Sequence, residues 1–290
     1  MHEKTLLLAG AGDLAQRTAA IMQDQGFRVW GLRRNPPTDS SSTIQWVAAD
    51  LSQPDSLTAL PRHFSHVLFA AAPDGRSPQQ YQTLFGDGLN ALLNHLDLDV
   101  LQRWVFVSST AVYGPSDDWV DEDTPALPQG FNGKILLAAE QVLHARLPGK
   151  AVILQPSGLY GPGRVQLLER LRQGKAAIPQ PAAPHDGKPS GTTSIAWANR
   201  FHITDAARAC AHLLTLDNPQ PCYIGTDDHP WPIEQLYSQL AGLLGAPAPA
   251  ISSTPGASPG KRLSNARLRA SGFDLLWPDA IAGYKALIQT

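Results

Sequence analysis

Gly10-Ala11-Gly12-Asp13-Leu14-Ala15 sets two glycines and a small residue at Gly-x-Gly-x-x-Ala spacing, directly after the apolar run Thr5 to Ala9. A phosphate cradle needs this spacing. Gly10 permits the tight turn, Gly12 lets the backbone approach a pyrophosphate, and Ala15 lets a following helix pack on the strand. The N–H groups that open that helix, at Asp13 and Leu14, then face the anion. Asp13 suits the helix dipole and mildly opposes a nearby anion. A glycine-rich turn without a ligand is the competing reading. A hydroxyl cluster, Ser108-Ser109-Thr110, follows the apolar run Trp104 to Val107. At the carboxyl end of a parallel strand such hydroxyls face a cofactor crevice, where one can hydrogen-bond a substrate carbonyl. Serine and threonine there also serve as caps and turn formers.

The second apolar run, Phe27 to Gly31, leads into Leu32-Arg33-Arg34, about 20 residues after the glycines, where an NAD site places a carboxylate on the ribose hydroxyls. A guanidinium instead binds a 2′-phosphate through two charge-assisted hydrogen bonds, which a carboxylate would repel. Arg33 and Arg34 therefore indicate NADP(H), with NAD as the second choice. The alternative is two arginines on a solvated loop.

These groups must be positioned by a frame, and the first half of the chain supplies one. Thr5 to Ala9, Phe27 to Gly31, Ile44 to Ala48, His66 to Ala70, Trp104 to Ser108 and Ala151 to Gln155 read as six buried strands. Helix-period stretches lie between them at Asp13 to Gln25, Asp55 to Leu60, Gln79 to His95 and Gly133 to Arg146. The expected fold is α/β, a doubly wound parallel sheet of the NAD(P)-binding Rossmann type with a small C-terminal substrate lobe. A helix at Thr204 to Leu216 and a strand at Cys222 to Gly225 return to the sheet. The proposed division is 1–158 and 204–226 for the Rossmann domain, with 159–203 and 227–290 for the lobe. Ligands are expected in the crevice between them. Ile178 to Ser190 and Ala246 to Gly260, rich in Pro, Ala, Gly and Ser, read as irregular loops.

Composition narrows the function classes. Charged residues are 17% of 290, and 23 Lys plus Arg balance 25 Asp plus Glu, for a net charge of −2. This argues against electrostatic capture of nucleic acid or of a membrane surface. No apolar run approaches the ~18 residues of a membrane span. Asp13 breaks the one run that faintly resembles a leader. Cys210 and Cys222 form no close pair for metal or redox work, and His63 and His66 lack the further ligands a metal needs. The expectation is a cytoplasmic protein with a small-molecule substrate and no metal.

The motifs together resemble the extended or atypical short-chain dehydrogenases/reductases, the NAD-dependent epimerase/dehydratase family, and within it a YeeZ-like subgroup. Ser108 to Gly114 is similar to the family's Ser-Ser-x-x-Val-Tyr-Gly, Leu159 to Arg164 to its Tyr-Gly-Pro-Gly turn, and Asn199 to Asp205 to its Ile-His-Val-x-Asp segment. Gly260 to Leu268 resembles the subgroup's C-terminal motif. The resemblance implies that Asp50, followed by Leu51, holds the adenine amine and that Ala70, Ala71 and Ala72 form the small-residue turn beside the ribose. It implies Ser108 near the cofactor, Ser109 as the catalytic hydroxyl, and a homodimer as the common assembly.

The pattern breaks where the superfamily carries Tyr-x-x-x-Lys, the pair that moves the proton. Aligning Glu140 with the family's following Glu puts Asn132 and Leu136 in those places, and neither can act as an acid or base near neutral pH. Thr110 and Ala111 stand where sugar dehydratases carry Asp and Glu, which argues against that mechanism. Tyr113 and Tyr160 are the remaining proton donors, unless each is a structural tyrosine. His202 and Asp205 read as a hinge or helix N-cap. Two functions remain open: an NADP(H)-dependent oxidoreductase or epimerase-like enzyme acting on a small polar or nucleotide-linked substrate, and a non-catalytic NADP(H) sensor.

Overall fold

The computed structural model describes residues 3–38, 43–180, 195–255 and 260–289. Seven strands form one sheet: β1 (Thr5–Ala9), β2 (Arg28–Arg33), β3 (Gln45–Ala48), β4 (His66–Phe69), β5 (Arg103–Val107), β6 (Ala151–Pro156) and β7 (Cys222–Gly225). Their spatial order is β3-β2-β1-β4-β5-β6-β7, and the register of β1 to β6 is parallel throughout. The edge strand continues that direction, since Ile153 N donates to the Pro221 carbonyl and Ser157 N to the Gly225 carbonyl. Strands β1, β4, β5 and β6 are buried along nearly their whole length, as a sheet covered on both faces requires. This is the doubly wound Rossmann order, which reverses between β1 and β4; ligands in such sheets bind at the strands' carboxyl ends at that reversal.

The chain divides into two compact units. The first comprises residues 1–112, 126–155 and 206–223 and holds most of the sheet with helix α1 (Asp13–Asp24) and helix α2 (Phe131–Arg146). The stretch Gln79 to His95, expected as one helix, is helical from Pro78, opening as α-helix, widening to π-helix over Gln82–Gly88 and closing as α-helix. Gly86 and Gly88 lie in the widened turn, and a Cβ on Gly88 would meet the Leu51 carbonyl oxygen at 2.9 Å. Close approach to the Asp50-Leu51 segment thus accompanies the local distortion.

The second unit, residues 113–125, 156–205 and 224–290, is built from short strand pairs and helices around its own core. Tyr160, Leu168, Leu171, Leu236, Leu240 and Tyr284 centre that core. Two segments read as loops are partly paired strands, because Ala177–Gln180 runs parallel to Ala250–Pro255. The rest of Ile178 to Ser190, and residues 256–259, lie outside the described residues. Asp205 is not a helix cap. It lies inside the helix Ile203–Thr215, fully buried, and its carboxylate accepts from the backbone N–H groups of Leu276 and Trp277 at 2.9 and 2.8 Å. It therefore fastens the C-terminal segment within this unit, while His202 Nδ1 accepts from Thr204 N.

The turn after β1 is held by close backbone approach. Gly10 has φ +83°, and a Cβ there would lie 2.2 Å from Ala71 Cα. Gly10→Ala combines a left-handed strain with a backbone collision, so it should destabilise the protein by about 2–4 kcal/mol, read as a lowered midpoint in chemical denaturation.

Candidate dinucleotide site

The glycine turn is pinned from two sides. Gly10 N and Ala11 N both donate to the Leu32 carbonyl at the end of β2, at 3.2 and 3.1 Å, and Gly10 abuts Ala71 beyond β4. Gly12 N closes onto the Gly10 carbonyl at 2.8 Å, and the Gly12 carbonyl accepts the first helical bond, from Gln16 N. A Cβ on Gly12 would meet nothing within 4 Å. The backbone is therefore bare and open at the mouth of α1, the arrangement a pyrophosphate needs. Ala15 is fully buried and Leu14 nearly so, which makes them the packing residues of the motif. The exposed Asp13 carboxylate turns along the helix to Arg17 at 2.7 Å.

The other expected cofactor residues belong, like this turn, to the first unit. Asp50 Oδ1 accepts from Ser52 N and Ser52 Oγ at 2.9 and 2.7 Å, which shapes the loop after β3, and Leu51 is buried beneath it. Ala70 N donates to the Ala9 carbonyl, which continues the β1 and β4 pairing into the Ala70-Ala71-Ala72 turn. Arg34 is not a free loop cation: its Nη1 and Nη2 donate to the two oxygens of Asp74. That bond also holds the Asp74 carboxyl below the usual carboxylate range. Arg33 is half-buried at the end of β2, with no side-chain hydrogen bond or ion pair found for it among the described residues.

The hydroxyl turn is built against α2. A Cβ on Gly133 would lie 2.1 Å from the Ala111 carbonyl oxygen, so only glycine lets the first turn of α2 rest on this loop. Ser109 Oγ accepts from Ala111 N at 3.1 Å, which leaves its own O–H for another acceptor. Asn132 lies one position earlier on α2, its amide oxygen folded towards Gly130, while Leu136 is buried and Lys134 exposed. Helix α2 contains no tyrosine, and Lys134 is its one lysine.

Ser108 takes a different role from the one the resemblance implies. Its hydroxyl donates to Glu140 Oε1 inside the protein, and Gln155 Nε2 donates to the same carboxylate at 3.1 and 3.0 Å. Ser108, Glu140 and Gln155 are 8%, 6% and 2% exposed, so the three form a buried link between β5, α2 and β6. Burial pushes the Glu140 carboxyl up to about 7, against the opposing hydrogen bonds from Ser108 and Gln155. Sequence reasoning placed Glu140 only as an alignment mark; the overlooked signal was Gln155, a polar side chain in an otherwise apolar buried strand.

Tyr113 and Tyr160 both belong to the second unit. Tyr160, expected as a proton donor, is instead a core residue. It is 1% exposed, its hydroxyl sits where a Cβ on Gly283 would be and has no hydrogen-bond partner, and its ring packs on Tyr284 at 4.3 Å. Burial pushes its phenol far above the ordinary value. Tyr113 is also buried, and its carbonyl accepts from Lys261 Nζ at 2.6 Å. Burial lowers that ammonium to about 8. Lys261 belongs to the C-terminal motif, which is tied into this unit: Asn199 brackets Lys261 and Leu263, Arg262 stacks on Trp197, and Asn265 donates to the Thr226 carbonyl and Asp228.

No group of three or more His, Cys, Asp or Glu suited to a metal occurs among the described residues, nor any helix long and apolar enough to cross a membrane. The strand order and the open glycine turn define a Rossmann-type dinucleotide-binding fold. Comparison with known proteins makes the class specific. A profile of the NAD dependent epimerase/dehydratase family matches residues 6–225, and the chain belongs to that family. It is 27% identical to Protein YeeZ of Escherichia coli (strain K12), across 96% of this chain and 98% of the relative. A structure from Methylobacillus flagellatus, assigned to the NAD-dependent epimerase/dehydratases, is 34% identical with TM-score 0.79, over 99% of this chain and 98% of that one. A short-chain dehydrogenase/reductase superfamily protein from Agrobacterium tumefaciens with bound NAD shares the fold, at 20% identity and TM-score 0.76, over 98% and 97% of the two chains.

The buried carboxyl gives a pH test. The unfolded chain releases the Glu140 proton near pH 4.5 and the folded chain near 7, so its stabilising contribution is complete below 4.5 and is lost as pH rises through 7. Glu140→Gln should remove this loss. Its denaturation free energy should fall less than wild type between pH 5 and 8, by about 3 kcal/mol, and equal pH slopes would show the carboxyl already ionised at pH 5.

Proposed function

We propose that the chain is an NADP(H)-dependent oxidoreductase or epimerase-like enzyme of the atypical short-chain dehydrogenase/reductase type, acting on a small polar or nucleotide-linked substrate in the cytoplasm. The observation that carries this reading is the Gly10–Gly12 turn: pinned to Leu32 and Ala71, yet open at Gly12, it fits the pyrophosphate of a nicotinamide dinucleotide. The fold neighbour with bound NAD supports the same cofactor class. Gly10 and Gly12 would hold the pyrophosphate with the N–H groups of Asp13 and Leu14, Asp50 and the Ala70-Ala71-Ala72 turn would border the adenosine, and Arg33 with Arg34 would bind a 2′-phosphate. Bound there, the nicotinamide supplies hydride exchange.

Ser109 offers its O–H to the oxygen of a substrate carbonyl or alcohol, held in place by its bond from Ala111 N. Tyr113 is the tyrosine proposed for the proton step. The second reading, a non-catalytic NADP(H) sensor, is favoured by one observation: Asn132 and Leu136, the places aligned with the family's Tyr and Lys, carry no ionisable group.

Seven tryptophans make cofactor binding readable by fluorescence quenching. NADPH should bind more tightly than NADH, and the double variant Arg33→Ala, Arg34→Ala should weaken NADPH about tenfold or more with little change for NADH. Equal affinities in the wild type would contradict the NADP(H) assignment. Ser109→Ala should lower turnover of a carbonyl substrate about 100-fold, and undiminished turnover would remove that hydroxyl from the chemistry.

A further inference from the structure

In the sheet order, β1 lies between β2 and β4, so any contact joining the loops after β2 and β4 passes over the end of β1. Arg34 and Asp74 make such a contact, two parallel guanidinium-to-carboxylate hydrogen bonds. Arg34 stands two residues after Leu32, whose carbonyl holds Gly10 and Ala11, and Asp74 stands three residues after Ala71, which touches Gly10. Backbone and side chains thus close a ring around the start of the glycine turn. The two partners are 54% and 61% exposed, and an exposed pair of this kind adds little to stability. Its position, rather than its strength, needs a reason.

We propose that Asp74 is a specificity-determining residue, a clasp that competes with the cofactor's 2′-phosphate for Arg34 and so limits how strongly the site prefers NADPH over NADH. The inference rests on the dinucleotide site proposed above. Asp74 takes the Nη1–Nη2 edge of Arg34, one of the two guanidinium edges on which a phosphate monoester can make paired hydrogen bonds. A 2′-phosphate on that edge exchanges one anion for another, whereas NADH, with ribose hydroxyls only, leaves the clasp intact. Asp74 also places a carboxylate beside the incoming phosphate, and Asp50 adds to the negative field that Arg34 already feels. Asp74 thus weakens NADPH twice over, by occupying its partner and by repelling its charge.

The test is Asp74→Asn, which keeps the side-chain shape and removes the charge, titrated with NADPH and with NADH by tryptophan quenching beside the wild type. NADPH should bind about five- to tenfold more tightly to the variant, and NADH should change by less than about twofold. Circular dichroism and the denaturation midpoint should match the wild type. If the wild type prefers NADPH and the variant binds both cofactors as before, the clasp is overturned while the site stands. If the variant binds both more weakly, Asp74 contacts the cofactor itself and the clasp is likewise overturned. If neither protein binds either nucleotide, the dinucleotide reading fails and takes the clasp with it.

Discussion

The carbonyl of Leu32, accepting from Gly10 N and Ala11 N, ties the turn after β1 to the end of β2. On its other side the same turn has no space between itself and Ala71. A turn held by two neighbouring strand ends cannot relax, so α1 starts at a fixed place with its first N–H groups unspent along the chain. The parallel order of β2, β1 and β4 brings those three strand ends together. Everything assigned to the cofactor, from the open face at Gly12 to the arginines past β2, is placed relative to that one turn.

Helix α2 rests on the hydroxyl loop through Gly133, with Asn132, Lys134 and Leu136 on its first two turns. The buried carboxyl of Glu140 links β5, α2 and β6 through Ser108 and Gln155. Ser108 thus bonds into the interior, while Ser109, one residue on, keeps its own O–H for another acceptor.

Much of this was legible in the sequence because burial on both faces writes strands as apolar runs, and the strands of the central sheet fall within two residues of their expected limits. The Gly-x-Gly-x-x-Ala turn was legible for the same reason, since its spacing fixes a backbone shape. Partnerships between distant residues were not. Asp74 reads as an ordinary Pro-Asp-Gly turn, and only the folding of β2 and β4 on either side of β1 brings it to Arg34. Asp205 looks like a helix cap by spacing, but the arrival of Leu276 and Trp277 gives it other donors. The hydroxyl of Tyr160 carries no signal of its fate, because its burial depends on Gly283, more than a hundred residues later. The π-turn at Gln82–Gly88 was hidden because a helical period survives one widened turn.

The central claim is that the backbone of Gly10 to Ala15 holds the pyrophosphate of a nicotinamide dinucleotide. Hydrogen–deuterium exchange of the protein with and without saturating NADPH tests it directly, because backbone amides that bind phosphate exchange more slowly. The account requires the strongest added protection in the peptide spanning the end of β1 and the first turn of α1, with weaker protection at the Ala70-Ala71-Ala72 turn. Unchanged exchange in that peptide, with NADPH bound and protection elsewhere, would contradict it.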